Sequence, residues 1–457
     1  MRWIPVAAIV VLAAAACGDV GRPAAAPGPA SAPRRAVVWL TGEGLDEITA
    51  AELARVGIDE VVVRRGAIDL AGDAPVLRFN PGPPVAGGLP VGWLLAVEGA
   101  REGLSAGAAT AVWRAVMAEA SVTPPAEILL DLPQLPPGMA DFVAQLAAAA
   151  EVPLVPVLSV GQLETDEGPR VAAAAGRCMV PAYGTGHPDL RGAGEGGTVP
   201  LARKLEPLAG LEISVRIGIA MAPVTRPPLG RWGDDLGPLT EPENAEVRTS
   251  SELDRTFVVR RPLDWSGRGW APGEAPAIRW WDVSRLHASL AEIDRVTLPE
   301  IAGWDLVPLP TAGARLGVSE EALVAYLGGD GPAPELQVEV ARSGSTVRVS
   351  VSNPGPFASA VSGVGNWLEV AASQGSVVVS DRGSFDSIEL GTRRGGEWKP
   401  LVREVADAVR FCENHVGPGE QLTTGSVRLT APRAQVRVRW HVLLSSGQEA
   451  AGELAPQ

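Results

Sequence analysis

"AEILLDLPQLPPGMADFVAQLAAAAEVPLVPVLS", Ala126 to Ser159, holds one whole strand–helix–strand unit and decides the fold. "AEILLDLP" is a short apolar run that stops at Asp131 and turns through Pro133, Pro136 and Pro137. "GMADFVAQLAAAAE" then reads as a helix, and "VPLVPVLS", Val152 to Ser159, is apolar again. Strands that are apolar almost throughout, instead of alternating, are buried on both faces. A helix between two of them marks a parallel sheet covered by helices.

The same writing extends in both directions. Upstream, "AVVWL" (Ala36 to Leu40) reads as a first strand, followed by the helix "LDEITAAELARVG" stopped at Gly57. "IDEVVVRRG" is a second strand and "VGWLLAVEG" (Val91 to Gly99) a third. The helix "SAGAATAVWRAVMAEA" follows, with Ser105 as its N-cap. Downstream, "RCMVPAYG" is a sixth strand, "LEISVRIGIAMAP" a seventh and "GWDLVPLP" (Gly303 to Pro310) an eighth, closed by the helix "SEEALVAYLGG". A long excursion, about Val224 to Leu298, separates the last two strands. It is dense in Trp, Pro and charge, and contains the helical stretch "DVSRLHASLAEIDRV". Eight strand–helix units over roughly 280 residues predict a (βα)8 barrel of the TIM type over residues 36–328. A doubly wound open sheet is the alternative. No GxGxxG follows the first strand, which counts against it.

Past "GGDGPAP" (Gly328 to Pro334) the period changes to two. "LQVEV", "TVRVSVSN", "GNWLEVA", "GSVVVSD", "GSVRLTA" and "AQVRVRWHVLLSS" alternate apolar and polar residues between Gly, Ser and Pro turns. That predicts an antiparallel β-sandwich over residues 329–457. The fold class is therefore α/β plus all-β: a barrel followed by a sandwich.

The N-terminus carries an address. "MRWIPVAAIVVLAAAACGDVG" has Arg2, an apolar run from Ile4 to Ala16, and then Cys17. The run is too short to span a bilayer and has the shape of a secretory signal. Small residues directly before a cysteine resemble the lipobox of bacterial lipoproteins, although Ala14 stands where Leu is usual. Residues 1–17 thus read as a lipoprotein signal with Cys17 as the lipidated residue, and 18–35 as a Pro/Ala-rich tether. The expected location is exported and membrane-anchored, in the outer membrane or periplasm. A net charge of −14 argues against a nucleic-acid surface. Cys178 and Cys412 remain, either as a disulfide or as two buried thiols. The four histidines are scattered at no metal-ligand spacing, and neither a metal nor a cofactor is expected.

In such a barrel, function gathers at the C-terminal ends of the strands. Those ends carry Glu98, Asp131, Ser159, and Tyr183 with His187. Glu98 and Asp131, on neighbouring strands, have the residue types of a glycosidase pair, one carboxyl kept protonated and one ionised. The alternative for Asp131 is an acid that caps the turn after its strand. Trp232, Trp265, Trp270, Trp280 and Trp281 fall in the excursion, where flat rings either stack on sugars or fill a local core. No GxSxG elbow and no phosphate loop occurs.

The order of segments resembles an uncharacterised family of secreted bacterial proteins catalogued as domain of unknown function 3142. The points of likeness are the "VW" of the first strand, Val38-Trp39, and Asp131 in "ILLDLP". The family's fourth strand carries a second acid where this chain has Pro133, and a Gln where it has Leu129. The resemblance implies a glycosidase-like barrel that binds or hydrolyses a carbohydrate or envelope glycan. Asp131 would be base or electrostatic stabiliser and Glu98 acid. Trp39, Tyr183, His187, Trp232, Trp270 and Trp281 would contact the ligand. The loss of one acid leaves a second expectation: a barrel that binds glycan without turnover, or an envelope scaffold whose sandwich engages a protein partner.

Overall fold

The computed structural model describes residues 34–40, 44–72, 74–80, 82–100, 106–120, 124–183, 200–221, 224–226, 237–249, 254–265, 267–279, 282–297, 299–309, 318–362, 365–394, 397–401, 406–444 and 448–454. Arg35 to Gln457 form one unit. Its first strands are β1 (Arg35–Leu40), β2 (Glu60–Asp69), β3 (Val76–Phe79), β4 (Val91–Glu98), β5 (Ile128–Asp131), β6 (Leu154–Val157), β7 (Arg177–Tyr183) and β8 (Ser214–Ala220). The excursion holds β9 (Val224–Arg226), β10 (Ala245–Thr249), β11 (Asp254–Val259), β12 (Leu263–Trp265), β13 (Arg268–Trp270) and β14 (Ala277–Arg279). Strand β15 (Ile301–Val307) ends the first half.

One sheet joins nine strands in the order β1-β15-β8-β7-β6-β5-β4-β2-β3, and β1 also pairs with β2. Leaving out the antiparallel β3, the eight others run parallel and close into a barrel. The opening stretch behaves as its pattern requires. Helix Met139–Ala149 buries Met139, Phe142, Val143 and Leu146, one helical face, against the barrel wall. Full burial of each such side chain is worth about 1.5–3 kcal/mol.

The expectation of eight strand–helix units needs correction. Between β2 and β4 the described residues form no helix; β3 takes that place, paired antiparallel to the second half of β2. Prolines at 75, 81, 83, 84 and 90 cannot serve a helix interior. Gly66 makes the detour feasible. It has φ 154°, and a β-carbon there would lie 2.0 Å from the Arg78 carbonyl oxygen. The register of β2 on β4 slips between Arg64 and Gly66, a bulge beyond which Gly66 to Asp69 pair with Leu95 to Glu98 on one side and with β3 on the other.

The second half is antiparallel. Its strands are β16 (Gln337–Ser343), β17 (Thr346–Ser352), β18 (Asn366–Ala372), β19 (Val377–Val379), β20 (Ser387–Arg394) and β21 (Glu397–Pro400). They continue with β22 (Ala408–Glu413), β23 (Gln421–Thr423), β24 (Val427–Leu429), β25 (Val436–Leu443) and β26 (Glu449–Leu454). A sheet of order β16-β17-β24-β19, with β23 on β17, shares one core with a sheet of order β21-β20-β22-β18-β25-β26. Val349 and Leu429 from the first meet Val370, Phe411 and Val438 from the second in that core.

The excursion makes its own small sheet, β10-β11-β14-β9, and the hairpin β12-β13. Its core includes Phe257, Trp265, Trp270 and Val361, the last from the segment between β17 and β18. The Arg255 Nε donates to the Val361 carbonyl at 2.5 Å. The same segment sends Phe357 into the core around the barrel. Excursion, sandwich and barrel are thereby tied through a few residues.

That segment is held in turn by Asn414 and Val416, whose carbonyls accept from the Ser362 and Ser359 backbone amides. Asn414 N also donates to Asp386 Oδ2 at 2.8 Å. Beside it, burial and then hydrogen bonding to Asp386 push the Glu413 carboxyl up to about 10. The folded protein therefore keeps at pH 7 a proton that the unfolded chain has lost above its ordinary value of 4.5. Stability is complete below that value and is lost as pH rises. Glu413→Gln, which needs no proton, is expected to raise the unfolding temperature at pH 7 to 8. The gap should close towards pH 4 in thermal scans.

Candidate functional site

The barrel interior decides what each strand shows at its mouth. Following hydrogen-bonded partners forward from Leu40 through Val63, Trp93, Ile128 and Leu154 steps down the wall. Carried round to the β15–β1 pairing, the descent is about eight residues per circuit, the shear of a (βα)8 barrel. Residues at equal height thus advance one position per strand relative to the hydrogen-bonded register, and layers are filled by alternate strands. Val62, Leu129, Met179 and Asp305 make one layer; Trp39, Leu94, Val157 and Gly218 make an interleaved one. Above them, Arg64, Asp131, Pro181 and Val307 form the top layer on β2, β5, β7 and β15. The contact cluster of Val37, Trp39, Val62, Leu94, Leu129, Val155, Val157, Met179 and Val307 agrees with this stacking.

A buried network of charge runs from below these layers up to Asp305 within them. Arg35 pairs with Glu60, and its Nη1 lies 2.9 Å from Glu127 Oε2. Arg216 Nη1 lies 2.6 Å from Glu127 Oε1, and Arg216 Nε lies 3.1 Å from Asp305 Oδ1. Neither Arg216 contact is aligned as a hydrogen bond, so the attraction there is that of charge. Asp305 Oδ2 accepts from the Trp39 indole at 2.9 Å. Gly92 makes room for the acids, because a β-carbon there would lie 2.3 Å from Glu60 Oε1. Burial first, and then the charge of Glu127, push Asp305 up to about 6, against the pull of Arg216. Among these residues sequence reading singled out Trp39 alone, and as a ligand contact instead of a partner of Asp305. The signal was present as strand parity: Glu127 and Asp131 are four apart, hence on one face of one strand.

Asp131 ends β5 in the top layer and is 6% exposed. The next residue is fixed from outside the barrel: Gln162 Nε2 donates to the Leu132 carbonyl at 2.5 Å. Gln162 also completes a capping box with Ser159 at the end of β6, so that serine is spent on a helix start. Glu98 ends β4 two residues beyond Ala96, the register partner of Asp131. Strand spacing then separates the two Cα atoms by roughly 8 Å. Glu98 is half exposed and lies 3.8 Å from Arg78 Nη2, which holds Asp69 at 2.5 Å.

Trp39 is 1% exposed and gives its indole N–H to Asp305. Trp270 is 3% exposed, tilted against Trp265, with the Arg268 guanidinium 4.0 Å over its ring. To stack on a ligand, either ring would first have to leave its core. The Tyr183 side chain, His187, Trp232, Trp281 and Cys17 lie outside the described residues. Cys178, in β7, and Cys412, in β22, are both free and buried. Burial pushes each thiol up to about 12, which leaves them unreactive hydrophobes. Among the described residues, no three His, Cys, Asp or Glu side chains are placed to hold a metal ion. Nor is any described helix long and apolar enough to cross a membrane.

The architecture is that of a TIM-type parallel barrel with an antiparallel C-terminal half, its acids at the ends of β4 and β5. No family model and no curated protein matches the chain. Among solved structures it is similar to the spore cortex-lytic enzyme SleL of Bacillus megaterium QM B1551. The TM-score is 0.40 and the identity 10%, over 65% of this chain and 75% of that one. SleL of Bacillus cereus gives a TM-score of 0.38 and 9% identity, over 64% and 74% of the two chains. At these scores neither likeness carries an argument about activity.

Proposed function

We propose that this chain is an exported, lipid-anchored envelope protein whose barrel mouth binds and hydrolyses a carbohydrate or envelope glycan. Asp131 serves as base or electrostatic stabiliser and Glu98 as proton donor, with Tyr183, His187, Trp232 and Trp281 as further ligand contacts. The observation that carries this reading is the position of two carboxylates at adjacent strand ends of a parallel barrel, one enclosed and one half exposed. A roughly 8 Å offset between their backbones suits carboxyl separations of the order of 5–9.5 Å, the range glycosidases use. The likeness to domain of unknown function 3142, through Val38-Trp39 and Asp131, supports the glycosidase-like barrel more than its catalysis, because Pro133 stands where that family has a second acid. Cys17 supplies the anchor.

The test is a glycan-array screen of the Arg35–Gln457 unit, with hydrolysis assayed on whatever binds. Asp131→Ala is expected to abolish turnover, with a loss of at least a hundredfold. Binding and turnover indifferent to that substitution would remove Asp131 from the site. A second reading, a barrel that engages glycan or a protein partner without catalysis, is favoured by one observation: Trp39, Trp265 and Trp270 are consumed as core. Glycan binding that survives in both proteins with no hydrolysis in either would select it.

A further inference from the structure

Strand β3 adds to the mouth polar groups that the proposed chemistry has not used. Beyond the bulge before Gly66, packing fixes the faces of β2, β3 and β4. Ile68, Leu95 and Val97 lie in the core around the barrel, and Leu77 and Phe79 pack against it. The residues that alternate with them, Ala67 and Asp69, Val76 and Arg78, Ala96 and Glu98, therefore face the mouth. Register partners then form two rows. Arg78, Ala67, Ala96 and Asp131 lie side by side on β3, β2, β4 and β5. One step further out, Val76, Asp69 and Glu98 do the same. The first row is a floor, in which two alanines span up to about 14 Å between the Arg78 and Asp131 Cα atoms at the usual strand spacing. The second row is its rim. Arg78 Nη2 lies 2.5 Å from Asp69 Oδ2 and 3.8 Å from Glu98 Oε2. That one nitrogen makes both contacts, and the Arg78 side chain is 59% exposed, which leaves it donors for a ligand. Asp69 Oδ1 accepts from the Ala71 amide at 3.0 Å. That bond first, and then Arg78, hold the Asp69 carboxyl below its ordinary value, as an acceptor. Beside them Val76 is 54% exposed, the one large apolar side chain in the open among the described residues.

We infer that Asp69 and Arg78 form a sugar subsite beside Glu98 and Asp131, binding adjacent hydroxyls of an uncharged pyranose over the floor of Ala67 and Ala96. This rests on the proposed glycan site and extends it by the sugar next to the one cleaved. A carboxylate paired with a guanidinium offers an acceptor and donors side by side. Neighbouring hydroxyls, each a donor and an acceptor, match that arrangement through charge-assisted hydrogen bonds. Alanines on the floor let a ring come close to the sheet, and Val76 supplies apolar contact for its C–H face. Two acids stand against one base on the rim, so a sugar that carries a carboxylate is repelled.

The experiment is a length series. Oligomers of β-1,4-linked glucose and of N-acetylglucosamine, from one to four units, are titrated calorimetrically into the full chain. The same series is made for any other uncharged glycan bound on the array. In the wild type, the step that reaches the subsite should tighten binding about tenfold, the worth of one hydrogen bond to a charged group. Arg78→Gln and Asp69→Asn should each lose that increment and bind the shorter oligomers as the wild type does. An increment absent from the wild type, or kept in either variant, would overturn the subsite and leave the glycan site standing. So would a loss spread equally over every length, which marks a structural ion pair. Binding confined to acidic glycans, or tightened in Asp69→Asn, would give Arg78 an anionic ligand and overturn the pairing. No glycan bound at any length would remove the glycan site and the subsite together.

Discussion

Arg216→Met is expected to destabilise the barrel by about 3–5 kcal/mol, the cost of breaking a buried ion pair from one side. Glu127 and Asp305 are 0% exposed, and Arg216 lies within 3.1 Å of both. Met fills much the same volume but leaves Asp305 without its cation, and Glu127 with Arg35 alone, in a low-dielectric interior. The pair would then have to take up protons or draw in water. Urea unfolding followed through tryptophan fluorescence measures the loss. The triple variant Arg216→Met, Glu127→Gln, Asp305→Asn is expected to recover most of it, because an uncharged interior of similar volume costs little. A single variant within about 1 kcal/mol of the wild type would mean that the network contributes shape and not charge.

The same network explains what the sequence could and could not disclose. Parallel strands covered on both faces announce themselves by apolar runs, and every barrel strand was legible that way, from "AVVWL" to "GWDLVPLP". Apolar runs hide parity. Glu60, Arg216 and Asp305 stand among Val, Ile and Leu, and nothing local says that they share the inside of a closed sheet. Closure is a long-range property: Arg35 reaches Glu127 across 92 residues, and Trp39 reaches Asp305 across 266. The missing second helix was half legible, since five prolines between β2 and β4 exclude one without pointing to β3.

In the sandwich, the clean alternations of β17, β18 and β25 were read directly, whereas "AVRFCE" and the hairpin "IELGTRRGGEWKP" were not. Their outward positions carry Arg, Glu and Trp instead of small polar residues. Glu369 there is 1% exposed between Arg393 and Arg410, and Arg410 lies 4.0 Å over Trp367 and 4.2 Å over Trp398. A polar face that is itself packed breaks the simple pattern of apolar inside and polar outside. At the mouth, Asp131 was legible as a strand end, but its layer-mate Arg64 was not. That kinship depends on the shear, which only a closed register defines.

Asp305 should impose a slope on stability against pH that vanishes in Asp305→Asn. If all five charges of the network were ionised, three carboxylates would face two guanidiniums, Arg35 and Arg216. A proton on Asp305 restores the balance, in keeping with a carboxyl pushed up by burial to about 6 from 3.8. Between those values the folded protein binds a proton that the unfolded chain has released. Stability contributed by Asp305 is therefore full below about pH 4 and lost as pH rises through 6. A shift of about two units corresponds to about 3 kcal/mol. Unfolding midpoints at pH 4, 5, 6 and 7 should show wild type losing that amount relative to Asp305→Asn, most of it between pH 4 and 6. Taking the difference cancels Glu413, which slopes in the same direction in both proteins. A flat difference across the range would place the network's proton elsewhere than on Asp305.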